Sequence, residues 1–134
     1  MRYLKGRFGD EYGKFEAGNK LSFEELSQYI EQHHCPGKTK KFTFFEDVYP
    51  QMKQITRSSV VSTCQNIDPR KKESCFEIFG LDFMIDEEGK VFLIEVNVNP
   101  CLELSSPLLG KIIPHMIDNA LQYSFLSFLP KKRR

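Results

Sequence analysis

An α+β fold, an antiparallel β-hairpin packed against amphipathic helices, is predicted by three features of this sequence. Residues 76–85 and 91–98 are two runs rich in Phe, Ile, Leu and Val, joined by the turn-rich Asp86-Glu87-Glu88-Gly89-Lys90, which is a hairpin pattern. Helical spacing of apolar residues runs through 22–34 and 44–64 before the hairpin, and through 106–125 after it. The 134 residues, 40% hydrophobic and 28% charged, suffice for one domain with a core and have the balance of a folded chain rather than a disordered one.

The hairpin is also where chemistry is expected. If its turn centres on Glu88-Gly89, Asp82 lies directly opposite Glu95, and Asn97 shares the face of Glu95 because strand side chains alternate. Two carboxylates about 5 Å apart repel by about 3 kcal/mol at an effective dielectric near 20. A shared proton relieves that repulsion, and so does a bound cation. Two carboxylates and an amide oxygen are hard ligands of the kind Mg²⁺ accepts beside water and nucleotide phosphates. A buried metal face also accounts for three polar residues on otherwise apolar strands. The competing reading is a solvated sheet face, with Asp82 paired to a distant Lys or Arg. A three-residue loop with a glycine bulge would shift the register by one and put the two acids on opposite faces.

Each helix has its own signals. Ser22-Phe23-Glu24-Glu25 is a capping box, with Leu21 and Leu26 placed for a hydrophobic staple. Phe23, Leu26, Tyr29 and Ile30 form the stripe, and Pro36-Gly37 ends the helix with His33 and His34 solvated near its terminus. In the second region Phe45, Val48, Met52 and Ile55 mark one buried face, and Pro50 means that the helix starts there or kinks there. Lys53 and Arg57 stand four apart on the other side, where solvent, a phosphate or an acidic partner could meet them. Residues 65–74 read as a loop. Beyond Asn99-Pro100, Ser106-Pro107 reads as a cap and first helical residue. Leu109, Ile112, Ile113, Met116, Ile117, Ala120, Leu121 and Phe125 follow, with a break or bend at Pro114. This helix is expected across the back of the sheet, against Phe92, Ile94 and Val96.

Several function classes receive no support. Net charge is +1, and the basic clusters at 38–41, 70–72 and the tail 129–134 are local, so neither nucleic acid nor a membrane surface is expected as a partner. No apolar run approaches a membrane span, and the first residues lack a signal-peptide core. Cys35, Cys64, Cys75 and Cys101 are widely spaced without a CxxC pair, which argues for free thiols in a reducing, cytoplasmic compartment over zinc or redox chemistry. Gly6, Gly9, Gly13 and Gly18 fit neither the P-loop nor the dinucleotide spacing, so the first 19 residues read as an irregular surface loop.

Residues 12–30, YGKFEAGNKLSFEELSQYI, followed in order by FEIFGLDFMID and VFLIEVNVNP, resemble the tubulin–tyrosine ligase family, whose catalytic core is an ATP-grasp fold. The resemblance covers roughly residues 12–121. It implies ATP- and Mg²⁺-dependent formation of an amide or isopeptide bond between an amino acid (tyrosine, glutamate or glycine) and tubulin or another protein. In that chemistry a carboxylate takes the γ-phosphate of ATP to give an acyl-phosphate, and an incoming amine displaces phosphate. By the same resemblance Asp82, Glu95 and Asn97 hold Mg²⁺ on the ATP phosphates. Microtubules, and with them cilia, are the implied location. Residues 1–134 then correspond to one partial domain, the C-terminal part of the core, without the region that supplies the adenine pocket and phosphate-binding lysines. Little or no ligase activity is expected of the isolated chain. The alternative is a non-catalytic module that binds tubulin or microtubules through its basic segments.

Overall fold

The computed structural model describes residues 20–34, 37, 41–71 and 75–128. The glycine-rich stretch 1–19, Cys35, most of the basic cluster at 38–41 and the tail 129–134 lie outside the described residues. The chain divides into two compact units, residues 1–25 with 102–134 and residues 26–101. The secondary structure is α+β: three helices and one two-stranded antiparallel sheet among the described residues.

Helix α1, Phe23–Tyr29, begins where the capping box places it. The Glu25 N–H donates to Ser22 Oγ at 3.1 Å, and the Ser22 N–H donates to the Glu25 carboxylate at 2.7 Å, so two orphan donors of the first turn are satisfied reciprocally. The Ser22 backbone N–H, and after it the Ser22 side chain, hold the Glu25 carboxyl below its ordinary value. The helix ends in a π turn, Ile30–His34, where the His33 ring lies 4.7 Å from that of Tyr29.

In the second helical region Pro50 marks a start. A π turn, Phe44–Val48, runs into helix α2, Tyr49–Ile67, which carries Pro50 in its first turn, where the missing N–H costs nothing. Thr43 caps the π turn, accepting from the Glu46 N–H at 3.3 Å. The expected buried face is corrected at its first position: Phe45, three residues before Val48, is 44% exposed, and Phe44, four before it, is fully buried. Helix α2 also runs three residues past its expected end, to Ile67, where the Asp68 N–H closes on the Cys64 carbonyl at 2.9 Å.

Ile30, Phe42, Phe44, Val48 and Val91 form the core of the 26–101 unit, with Leu26, Tyr49, Met52, Ile55, Phe83 and Ile85 packed around it. Burying five such side chains contributes about 1.5–3 kcal/mol each. The hairpin is β1, Gly80–Ile85, and β2, Val91–Asn97, shorter than the apolar run because residues 76–79 do not pair.

In the other unit, helix α3 is Pro107–Phe128 and runs on through Pro114, so the proline removes one hydrogen bond without ending the helix. Ser106 caps it, its Oγ accepting from the Leu109 N–H at 3.2 Å. Ile113 is buried, and Leu109, Met116, Ile117 and Ala120 are half-buried at helical spacing around it. Phe92, Ile94 and Val96, expected to be buried, are exposed; within the 26–101 unit, helix α2 packs on strand β2.

Candidate functional site

The site is set by the hairpin's register. Asp86 builds the turn: its Oδ1 accepts from the Glu88 and Lys90 N–H groups at 2.9 and 2.8 Å, and its carbonyl from Gly89 at 3.1 Å. Gly89 sits at φ +81°, and a Cβ there would meet the Phe42 ring at 2.6–2.9 Å, so both backbone conformation and space require glycine. This is the three-residue loop with a left-handed glycine, the case in which the acids were expected to part. Next to the turn the pairs are indeed Ile85 with Val91, Met84 with Phe92 and Phe83 with Leu93, one residue off the centred register.

The ladder then shifts between Asp82 and Phe83. Ile94 has no partner, and beyond it Asp82 pairs with Glu95, Leu81 with Val96 and Gly80 with Asn97. A β-bulge at Ile94 thus restores the pairing that the loop had displaced. The expectation that Asp82 lies opposite Glu95 holds, although the turn condition attached to it does not.

The three side chains meet. Asn97 Nδ2 donates to Asp82 Oδ2 at 3.3 Å and to Glu95 Oε1 at 3.2 Å, which draws both carboxylates to one atom on one face. All three residues are exposed, against the expected buried face. Water therefore screens the carboxylate repulsion to about 1 kcal/mol, which the Asn97 amide can offset. Among the described residues, Asp82 has Asn97 as its hydrogen-bond partner. Met84 shares the face of Asp82 by alternation and pairs with Phe92, so Phe92 lies on the acid face and not behind it. Lys90 Nζ lies 4.9 Å from the Phe92 ring.

The opposite face carries a groove of about 920 Å³, lined mainly by apolar side chains, among them Val60, Ile67, Phe79, Leu81 and Val96. Leu81 and Val96 are the neighbours of Asp82 and Glu95 along each strand and project the other way, so the groove is separate from the acids. Lys53 lies with its Nζ 4.6 Å from the Tyr49 ring. Cys64, Cys75 and Cys101 are exposed free thiols, and among the described residues no group of three or more His, Cys, Asp or Glu is placed to hold a metal ion. Among those residues no helix is long and apolar enough to cross a membrane.

Gln51 gave no sequence signal. From the first turn of α2 its Nε2 donates to the Asp47 and Gly89 carbonyls at 2.8 and 2.9 Å, while its Oε1 accepts from the Val91 N–H at 3.2 Å. A polar residue in a first turn reads as solvated, and only the fold brings strand β2 to it.

The fold and site define an α+β protein whose hairpin presents two carboxylates and an amide as a hard-donor cluster on one face. Comparison with known proteins narrows this further. The profile of the tubulin–tyrosine ligase family matches residues 9–133, and the chain belongs to that family. It is 33% identical over 104 residues to a tubulin polyglutamylase of Mus musculus, covering 76% of this chain and 8% of that protein. It is 27% identical over 121 residues to tubulin glycylase 3B of Tetrahymena thermophila, covering 87% of this chain and 10% of that protein. A probable tubulin–tyrosine ligase of Schizosaccharomyces pombe is 36% identical over 67 residues, covering 50% of this chain and 17% of that protein. The chain thus spans about a tenth of the length of the first two relatives.

Proposed function

We propose that this chain supplies the Mg²⁺- and ATP-phosphate-binding hairpin of an ATP-grasp ligase that joins an amino acid to tubulin or another protein. The observation that carries this reading is the convergence of Asp82 and Glu95 on the Asn97 side chain. The donor chemistry fits: carboxylates are hard ligands, and a half-turn of the Asn97 amide presents its oxygen in place of its nitrogen. A Mg²⁺ ion held there supplies neutralisation of the triphosphate and orientation of its terminal phosphoryl group. The bulge and the turn leave both carboxylates on one exposed face, the face that the phosphates would meet on this reading. Exposure suits the role, since a nucleotide must reach that face from solvent. Met84 and Phe92 give it an apolar border.

The names of the relatives support tubulin as the acceptor class, with glutamate, glycine or tyrosine as the added amino acid. The short span relative to those proteins supports the expectation that these residues alone have little or no ligase activity. In a longer protein that carries them, Glu95→Gln should abolish ATP-dependent amino-acid incorporation while leaving the melting temperature unchanged. Undiminished turnover would remove Glu95 from the role. A second reading, a tubulin-binding module without catalysis, rests on the basic segments at 38–41, 70–72 and 129–134. Mg-ATP should raise the melting temperature of the 134-residue chain only under the first reading. Co-sedimentation with microtubules that weakens when the acidic tubulin tails are removed is the signature of the second.

A further inference from the structure

Gln51 completes a strand edge. The Gly89 carbonyl and the Val91 N–H flank Lys90 and point to the same side of the backbone, as they would toward a parallel neighbour. The Gln51 carboxamide donates to the first and accepts from the second, so one side chain takes the place of a peptide group on an adjoining strand. Its Nε2 is also held by the Asp47 carbonyl, which ties this false strand to the base of α2. The inward side of Lys90 is engaged by Asp86, through Lys90 N–H to Asp86 Oδ1 at 2.8 Å and Asp86 N–H to the Lys90 carbonyl at 3.0 Å. The start of β2 is therefore gripped from both edges at one residue.

That grip matters because a slip of one residue reverses every side chain on a strand. Glu95 and Asn97 reach the face of Asp82 only when Val91 is fixed opposite Ile85 and the extra residue falls at Ile94. A two-stranded hairpin by itself is marginal in water and offers little resistance to slipping. We propose that Gln51 is a positioning residue for the Asp82, Glu95 and Asn97 cluster, acting by locking the register of β2 through Gly89 and Val91. The inference rests on the metal reading above for its consequence, and on the hydrogen bonds alone for its mechanism.

The test uses the 134-residue chain with Gln51→Met, which keeps length and shape but removes all three hydrogen bonds. Ile55→Val is the control: it thins the packing of the same helix against the core and removes no hydrogen bond to the hairpin. Two quantities are read, the cross-strand NOEs of Asp82 and the affinity for Mn²⁺ followed by the free-ion EPR signal. In Gln51→Met the NOEs from Asp82 to Glu95 should weaken in favour of Ile94, and Mn²⁺ affinity should fall about tenfold, as when a supporting group near a metal is lost. Ile55→Val should change neither. If Gln51→Met retains both, or Ile55→Val alters both equally, the positioning role is overturned. Should Gln51→Met not fold, Gln51→Asn, one methylene short of the strand edge, carries the same comparison. A native chain that shows the Asp82–Glu95 NOEs but no Mn²⁺ binding overturns the metal reading, and the NOEs of the variant still decide the role of Gln51.

Discussion

Gly89→Ala is the substitution whose cost the structure defines most completely. Two separable penalties act. At φ +81° an L-residue meets its own backbone, at about 1–2 kcal/mol. The added methyl would also stand 2.6, 2.8 and 2.9 Å from three atoms of the Phe42 ring, where ordinary carbon contacts are near 3.5–4.0 Å. Phe42 is only 5% exposed and packs in the core, so it cannot swing into solvent, and forced overpacking of this kind costs about 1–3 kcal/mol. Together the loss should be about 2–5 kcal/mol, a large part of the roughly 5–15 kcal/mol that holds a domain folded. Urea denaturation gives the number, read from the midpoint at unchanged slope. Repeating it in a Phe42→Leu background separates the terms: the smaller side chain relieves the clash but not the dihedral strain, so alanine should then cost about 1–2 kcal/mol. A loss below about 1 kcal/mol in the native background would refute the reasoning. An equal loss in both backgrounds would assign the whole effect to the backbone.

The capping box predicts a pH dependence. The Glu25 carboxyl is held below its ordinary 4.5, so its contribution to folding is full above that value and disappears as pH falls through the depressed folded value. Far-UV circular dichroism of the native chain should lose helix in that acidic window, and Glu25→Gln should flatten that part of the titration; identical titrations would remove Glu25 from the effect. The bulge predicts an unusual tolerance. Deleting Ile94 takes out the one unpaired residue, so Asp82 should still face Glu95, whereas inserting an alanine after Leu93 should part them. Cross-strand NOEs decide, and separation of the two acids in the deletion variant would show that the bulge does more than adjust the count.

What could be read from the sequence was local. Ser22 and Glu25 lie three apart, and Ser106 directly precedes Pro107, so each cap is specified within one turn of chain and forms as expected. Pro50 similarly left only a start or a kink, and the start is found. The misses arise where a regular period was assumed. The stripe took a three-residue step back from Val48 to Phe45, but the four-residue step to Phe44 is the buried one. Asp68-Pro69 drew the loop boundary too early, because helix α2 keeps its hydrogen bonds as far as the Asp68 N–H. Phe42 and Gln51 were silent for a different reason: Gly89 lies 47 residues beyond Phe42, and Gly89 and Val91 lie 38 and 40 beyond Gln51.

The hairpin shows why two irregularities can leave an alternation argument correct at one pair and wrong beside it. Val91, Leu93, Glu95 and Asn97 are all odd positions, and a regular strand would point them all to one side. Val91 is 5% exposed and belongs to the core, so a regular β2 would drive Glu95 and Asn97 toward the apolar side already faced by Leu81, Phe83 and Ile85. Taking an ionised carboxylate into such surroundings costs several kcal/mol per ion. One unpaired residue between Leu93 and Glu95 removes that conflict, keeping the odd apolar residues inward and turning the odd polar ones outward. The exposed Ile94 in an otherwise well-patterned strand is then the physical condition for a core and a carboxylate cluster to share seven residues of chain.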